Sequence, residues 1–494
     1  LGIRVSNFPP DSSSNILSAD FLRRIYMKRR EFNTLAVSVG GFLALRGMAP
    51  DAASAQTGKK PNILFMMTDQ QHARMMSCAG NPWLKTPAMD SLASGGMRFE
   101  RAYCSNPVCV PSRTSMATGV MSCRLGADSN GSGMRIRRLP PEVDAHSMGK
   151  LMKGAGYDTF YGGKVHMCKS LTPRNAGYDE YFKDQRSELP VACVDFIKRK
   201  RTRPFFAVAS FINPHDICFA HRARNGINTQ GVLELHRTAS SLPPDKLPPL
   251  PENHAIQQNE PTAIEAHLSP KAVTPAITMR KEYDEKAWRI NRWIYHRLTE
   301  KVDRQIGRIL DGLKEAGLED STLIVFTSDH GNMDASHRLA SKGLFYEESV
   351  GVPLILTYKG VIPAGETDRT HLVSTGLDIL PTVCDYAGIP KPEHLLGHSL
   401  RPLAEGKRVE RWRTYVASEN GYTRMIRSQR YKYCAFDDAS SKESLVDMEN
   451  DPGEMRNLVD DPRLRDVLVE HRRLLAEWSK TSRDDDASKY VRSD

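Results

Sequence analysis

Little in this 494-residue chain is organised for membranes, zinc or nucleic acid, and each scarcity excludes something. Its most apolar uncharged stretch, 33–45, is too short to span a bilayer stably, which excludes a transmembrane anchor. None of the nine cysteines is spaced CxxC, so the paired-thiolate zinc sites are absent, and the spacing leaves disulfide pairing open. The net charge of +10 is not gathered into a basic stripe, which argues against a nucleic-acid partner. No internal repeat is evident. What remains is ordinary globular composition, 40% hydrophobic and 26% charged, with length enough for a large core and two domains.

The first 26 residues lack strong periodicity and include the turn-rich Pro9-Pro10-Asp11-Ser12-Ser13-Ser14. A new beginning follows at Met27-Lys28-Arg29-Arg30-Glu31-Phe32. It leads into the short apolar run and then Ala53-Ser54-Ala55, a small-x-small cleavage site. Residues 27–55 therefore read as a signal peptide, and Arg-Arg-x-Phe resembles a twin-arginine export signal. The expectation is translation from Met27, with 1–26 an over-extended start, and a periplasmic or secreted product delivered by the twin-arginine machinery. Residues 1–55 hold seven Lys/Arg and four Asp/Glu, so the remainder keeps a net +7, a balance that favours an anionic substrate.

Beyond the leader, Pro61 to Gln70 reads as a buried strand of continuous apolar character ending in polar residues. Similar runs stand at Phe205–Phe211, Leu323–Phe326 and Val352–Leu356. Ile290, Trp293, Ile294, Leu298, Val302, Ile306, Leu310 and Leu313 recur in steps of three or four and predict a long amphipathic helix. Strands alternating with helices predict an α/β fold with a doubly wound, mostly parallel sheet. In such sheets ligands bind beyond the carboxyl ends of the strands, where Asp69 and Asp329 fall. The proline-dense 240–276 reads as an extended surface excursion near that site. Strand-like pieces at Thr414–Ala417 and Tyr431–Phe436, then a helix over about 462–479, predict a smaller C-terminal α+β domain. The predicted division is 60–405 and 406–494.

Candidate chemistry gathers at a few short segments. Cys109-Val110-Pro111-Ser112-Arg113 predicts a thiol just before a helix opened by Pro111, where free N–H groups favour an anion and Arg113 could hold it bidentately. Taken alone it is equally an ordinary buried thiol before a capped helix. Asp69-Gln70 and Asp329-His330, each at a strand end, offer an oxygen-and-nitrogen cage suited to Ca²⁺ or Mg²⁺, or simply helix caps and turns. Lys164 and His166, two apart on a predicted strand, would reach one ligand, or form a polar strand face.

Cys-x-Pro-Ser-Arg with Thr118-Gly119 resembles the signature of the type I, formylglycine-dependent sulfatases of the alkaline phosphatase superfamily. Gly163-Lys164-Val165-His166 resembles that family's Gly-Lys-Trp-His motif, with Val165 for the usual Trp. Pro214-His215 and Lys342-x-x-x-Tyr346-Glu347-Glu348-Ser349 also resemble family segments, as do Lys432-Tyr433 and Asn450-Asp451-Pro452-Gly453-Glu454. The resemblance implies that Cys109 is converted by a maturation enzyme to formylglycine, whose hydrate is the nucleophile and a metal ligand beside Asp69, Gln70, Asp329 and His330. It implies charge stabilisation by Arg113, Lys164 and Lys342, and leaving-group protonation by His215 with Lys342. It further implies proton removal by His166 and a sulfate or sugar contact for His337. Gln70 stands where the family commonly has a second Asp, a variant that also resembles choline sulfatases and phosphonate monoester hydrolases. The expected activity is hydrolysis of sulfate esters on a sulfated polysaccharide or its oligosaccharides. A phosphonate or phosphate ester hydrolase is the alternative within the superfamily, and a non-catalytic glycan binder with unmodified Cys109 the alternative outside it.

Overall fold

Strand β1 (Asn62–Asp69) is apolar at every position from Ile63 to Met67 because both of its faces are covered. Ile63, Phe65 and Met67 enter one core cluster, while Leu64 and Met66 enter another on the opposite side. This is the two-sided burial that a parallel sheet requires. The computed structural model describes residues 60–268, 275–437 and 443–492. The expected leader at 27–55 and the expected false start at 1–26 lie outside the described residues. Lys59–Asp494 forms one compact unit.

In chain order β1 is followed by α1 (Pro87–Ser94), β2 (Met97–Phe99), β3 (Ala102–Tyr103) and α2 (Cys109–Thr118). Next come β4 (Asp158–Gly163), β5 (Glu180–Phe182), α3 (Leu189–Ile197), β6 (Phe205–Pro214), α4 (Glu285–Glu315) and β7 (Thr322–Ser328). After β8 (Leu354–Thr357), β9 (Glu366–Asp368), β10 (Val373–Ser374) and α5 (Thr375–Tyr386), the chain enters β11 (Tyr415–Glu419), β12 (Thr423–Ser428), β13 (Tyr431–Phe436) and β14 (Glu443–Asp447). Helix α6 (Arg465–Ser482) follows.

The main sheet has eight strands in the order β5-β4-β6-β1-β7-β8-β2-β9. Every pairing is parallel except those of β8 with β7 and with β2. Both neighbours of β1 come from later in the chain, β6 on one side and β7 on the other. That is the switch-point arrangement at which open α/β sheets form a crevice. The chain leaves β4, β6, β1 and β7 at the same end of the sheet.

Helix α4 carries the predicted periodicity. Ile290, Ile294, Leu298, Val302, Ile306 and Leu313 are buried along one face, and the Asp284 side chain accepts from the Ala287 N–H at its start. The smaller C-terminal part pairs β11-β12-β13-β14 as an antiparallel sheet, with Leu475 and Trp478 of α6 packing on Ile426 and Tyr433.

Part of the proline-dense segment is fastened to the rest of the protein. Arg289 of α4 donates to the carbonyls of Leu247 and Pro248, and Asn253 donates to Glu348 Oε1 and Gly453 O, so the stretch 247–253 is tied down at both ends. Prolines lack the N–H needed to join a sheet, and the carbonyls they leave are taken by arginine donors instead.

Candidate active site

Four loops at the carboxyl end of the sheet converge on the start of α2. Asp69 is the last residue of β1, Asp329 and His330 follow β7, His215 follows β6, and Lys164 follows β4. Helix α2 begins at Cys109 itself rather than at Pro111. Proline fits inside this first turn because the missing N–H has no partner within the helix there. The Val110 N–H is instead met by Asn130 Oδ1 at 2.9 Å.

Asp69, Cys109, Asp329 and His330 each offer a ligand atom, and these four atoms lie within 4.8 Å of one another, all buried. Cys109 Sγ is 3.1 Å from His330 Nε2, 3.3 Å from Lys342 Nζ and 3.9 Å from both Asp69 Oδ1 and Lys164 Nζ. The His330 Nδ1 side faces Gly331 O at 2.9 Å, which places a proton on that nitrogen and turns Nε2 toward Cys109. Burial and the Asp69 carboxylate push the Cys109 thiol up, but Lys164, Lys342 and His330 outweigh them and hold it well below the usual thiol range. Asp69 is likewise held low: burial raises it, and Lys164, His215, Arg113 and Lys342 together prevail. Asp329 moves the other way, raised by burial and by Asp69 beside it. Two carboxylates at such depth repel each other, and Arg113, Lys164 and Lys342 offset their charge.

Arg113 does not face an incoming anion. Its Nε donates to Asp329 Oδ2 at 2.6 Å and its Nη2 to Asp69 Oδ2 at 2.8 Å. Nη1 donates to Lys164 O at 3.0 Å and to Ser210 Oγ at 2.8 Å. The guanidinium is wholly buried, and its donors brace the two carboxylates. The bidentate grip expected on a ligand is spent on the protein.

Lys164 lies beyond the end of β4, because Gly163 at φ +91° turns the chain out of the sheet. Lys164 and His166 therefore stand on a loop, with His166 at φ +39°, and not on a strand whose alternation would point both one way. Lys164 Nζ reaches Asp69 Oδ2 at 2.6 Å. His166 Nδ1 and His215 Nδ1 are buried and, among the described residues, have no hydrogen-bond partner. Burial, then Lys342 and Lys164, depress His215 well below the ordinary imidazole value, so it stands neutral.

Gln70 comes into the cluster with both ends of its amide occupied. Nε2 donates to Asn332 Oδ1 at 2.9 Å, while Oε1 accepts from Lys342 Nζ at 2.7 Å and from the Cys218 thiol at 3.2 Å. Two donors already use the two lone pairs of that oxygen, which makes it an anchor for Lys342 before it is a ligand for a cation. His337 is wholly buried and stacked on Tyr346 at 4.0 Å between ring centres. Burial lowers it to about 4, against Glu348, with Lys432 and Arg280 adding to the fall.

Several supporting residues escape sequence reasoning. Ser210 and Tyr161 both donate to Lys164 O, Ser112 donates to Asp329 O, and the Tyr295 hydroxyl donates to Gln70 O at 2.6 Å. Ser112 carried a signal through the Cys109–Arg113 segment, and Ser210 as the polar residue inside the apolar run Phe205–Phe211.

Comparison with known proteins agrees with this geometry. Residues 61–389 match the family model described as Sulfatase, and residues 335–481 match one described as N-sulphoglucosamine sulphohydrolase, C-terminal. The chain is 31% identical over 474 residues to the Delta 4,5-hexuronate-2-O-sulfatase of Bacteroides thetaiotaomicron, covering 91% of this chain and 95% of that one. The solved structure of a 2-O GAG sulfatase is 30% identical with a TM-score of 0.75, covering 88% of this chain and 95% of the other. A structure solved in complex with D-glucosamine-2-N,6-O-disulfate is 25% identical with a TM-score of 0.70, covering 87% of this chain and 99% of the other.

Proposed function

The chain belongs to the sulfatase family and is a sulfuric ester hydrolase, and from that premise we propose that it desulfates a glycosaminoglycan or its oligosaccharides, preferentially at a 2-O-sulfated uronate. The observation that carries the reading is the Cys109 side chain, set at 3.1–3.9 Å from His330, Lys342, Asp69 and Lys164. The near full-length likeness to a hexuronate 2-O-sulfatase supports the choice of sugar.

The donor set bears on both the metal and the maturation of Cys109. With its thiolate retained, two carboxylates, an imidazole and a sulfur suit zinc. Conversion to formylglycine replaces sulfur by oxygen and leaves a hard set of oxygens with one imidazole, which fits Ca²⁺ or Mg²⁺. Asp69, Asp329, His330 and the matured residue 109 would hold the ion, which when bound supplies Lewis acidity toward sulfate oxygens. Arg113 keeps both carboxylates in place. Lys164 and Lys342 offset the charge that builds on the transferring sulfuryl group, and Gln70 orients Lys342. His215, kept neutral by burial and these lysines in the free protein, would take up a proton when the negative sulfate group enters beside it, and with Lys342 would then protonate the departing alkoxide. His166, with its free ring nitrogen, removes the proton that lets the covalent sulfate ester collapse. Maturation calls for a formylglycine-generating enzyme. The Arg29-Arg30 leader supports export through the twin-arginine machinery to the periplasm or beyond. No helix among the described residues is long and apolar enough to cross a membrane.

A panel of defined sulfated oligosaccharides tests the reading, with sulfate release measured for each. The fastest release is expected from 2-O-sulfated uronate at a chain end. Faster hydrolysis of a phosphonate or phosphate ester than of any sulfate ester would replace it with the superfamily alternative.

A further inference from the structure

The fold sets two positively charged surface segments side by side next to the catalytic cluster. The first is fastened to the opening turn of α2. Asn130 Oδ1 accepts from the Val110 N–H at 2.9 Å, one residue from Cys109. Ser129 and Ser132 exchange side chain-to-backbone hydrogen bonds at 3.0 and 3.1 Å, a capping box that closes the turn 129–133. Gly133 packs so tightly on Val110 that a Cβ there would stand 2.5 Å from its Cγ1. Met134-Arg135-Ile136-Arg137-Arg138 follows at once, so this loop leaves the protein beside the residue that carries the chemistry.

The second segment reaches the same ground from the site itself. Past Lys164 and His166, the Cys168 N–H donates to Thr114 Oγ1 of α2 at 3.2 Å, and the Ser170 N–H donates to Ile136 O at 3.3 Å. Lys169 lies between these two bonds and is thereby held against the arginine loop. Arg135, Arg137, Arg138 and Lys169 are all exposed, and none has an ion pair or side-chain hydrogen bond among the described residues.

The protein supplies little to offset them. No Asp or Glu occurs from 129 to 141 or from 159 to 178. Of the flanking acids, Glu142 pairs with Arg124 at 3.4 Å and Asp144 with Lys150 at 2.6 Å. Asp128, which accepts from the Ser132 hydroxyl, is the remaining carboxylate, so the balance stays positive. Guanidinium forks match the paired oxygens of sulfate and carboxylate groups. The loop has no aromatic side chain on which a nucleic-acid base could stack, and Met134, 36% exposed, is too little apolar surface to enter a lipid layer. A glycosaminoglycan whose terminal sulfate lies at residue 109 extends out of the site with anionic groups on its successive sugars, which suits such a surface.

We propose that Arg135, Arg137, Arg138 and Lys169 form a ledge that binds the sulfate and carboxylate groups of the sugars beyond the one being desulfated. The ledge rests on the glycosaminoglycan reading and adds to it a preference for extended, multiply sulfated chains over single sugars.

Calorimetric titration of a heparin hexasaccharide into the full chain tests it, with a fully desulfated hexasaccharide and a single-stranded DNA of equal charge as comparisons. At about 0.05 M salt the parent is expected to bind the heparin hexasaccharide about thirtyfold more tightly than the triple variant Arg135→Ser/Arg137→Ser/Arg138→Ser, and the gap should close to about twofold at about 0.5 M salt. The corresponding triple Arg→Lys variant keeps the charge and should stay within about fivefold of the parent, whereas a merely structural role would weaken both variants alike. The desulfated hexasaccharide and the DNA should each bind the parent at least about fivefold more weakly than the heparin hexasaccharide. Equal affinity of parent and serine variant, a lysine variant as weak as the serine one, or DNA bound as tightly as the hexasaccharide would each overturn the proposal. Failure of the substrate reading shows separately, as absent sulfate release from a 2-O-sulfated disaccharide, and the ledge is judged by the binding differences alone.

Discussion

Gln70 illustrates how far a residue's type can be legible while its role is not. The dipeptide Asp69-Gln70 at a strand end signalled a cation cage, and the strand end is real. The amide, however, points its oxygen at Lys342 and Cys218, and no spacing rule encodes partners that lie 272 and 148 residues away. Gln70→Met, which keeps the volume and removes the acceptor, should therefore lower turnover about tenfold to a hundredfold through a misplaced Lys342. Metal affinity should stay within about threefold of the parent, the ligand set being intact. Parallel metal titration and kinetics check this, and a large loss of metal affinity would return Gln70 to the ligand set. Arg113 carries the same lesson. Its presence one turn into the helix was readable, but two carboxylates from different strands had to be in place before its donors could be assigned.

Glu419 sets a pH dependence of stability away from the site. It is buried, accepts from Ser122 Oγ and from the Cys123 N–H, and its Oε2 has no partner among the described residues. Burial raises its carboxyl from 4.5 to about 7, with Arg424 and the Ser122 hydrogen bond opposing. The folded state thus keeps a proton that the unfolded chain releases. The associated stability is fully present below pH 4.5 and is lost as pH climbs through 7, a swing on the order of 3 kcal/mol. Glu419→Gln removes the titration, so its Tm should gain on the parent's between pH 5 and pH 8. A pH-independent difference would contradict this.

At the scale of elements, the long helix α4 was readable because eight apolar residues mark one face over six turns. One of its main local tasks was not. Asp303, 215 and 214 residues from its partners, accepts from the N–H groups of Ala88 at 3.2 Å and Met89 at 2.9 Å. It thereby caps α1, whose own Thr86 makes no side-chain cap. Asp303→Ala should cost about 1–2 kcal/mol, the usual range for a lost N-cap oxygen, with activity retained. Chemical denaturation measures it, and a change under a few tenths of a kcal/mol would show that water or a neighbour replaces the cap. The start of α2 and the bend after β4 were misread for a related reason. Strand and helix ends depend on single backbone angles, as at Gly163 and His166, which apolar periodicity does not report.

For the whole molecule, the positions of four buried strands and the class of sheet were legible, since two-sided burial leaves continuous apolar runs. The way the C-terminal sheet engages the catalytic loop was not. Lys432 of β13, 2% exposed at the side chain, meets Glu347 Oε1 at 2.7 Å and Glu454 Oε1 at 2.8 Å, and donates to Phe345 O at 3.1 Å. These contacts hold the segment that follows Lys342. Burial raises Glu454 to about 7, whereas Glu347 is brought down to about 2, with Lys432 and Arg427 outweighing burial. Lys432→Ala leaves the buried Glu454 without its cation and the half-buried Glu347 with only Arg427 and Tyr103, and should cost about 3 kcal/mol, the low end for a broken buried pair. Thermal unfolding checks it, and an unchanged Tm would mean the two parts hold together without this link.

The central claim is that the side chain at position 109 performs the reaction. Sulfate release from a 2-O-sulfated uronate oligosaccharide, compared between the parent and Cys109→Ala after expression in a formylglycine-competent host, tests it most directly. The account predicts that Cys109→Ala keeps its fold while turnover falls by about 10³-fold or more, as for the loss of a covalent nucleophile. Turnover by Cys109→Ala within about tenfold of the parent would contradict it.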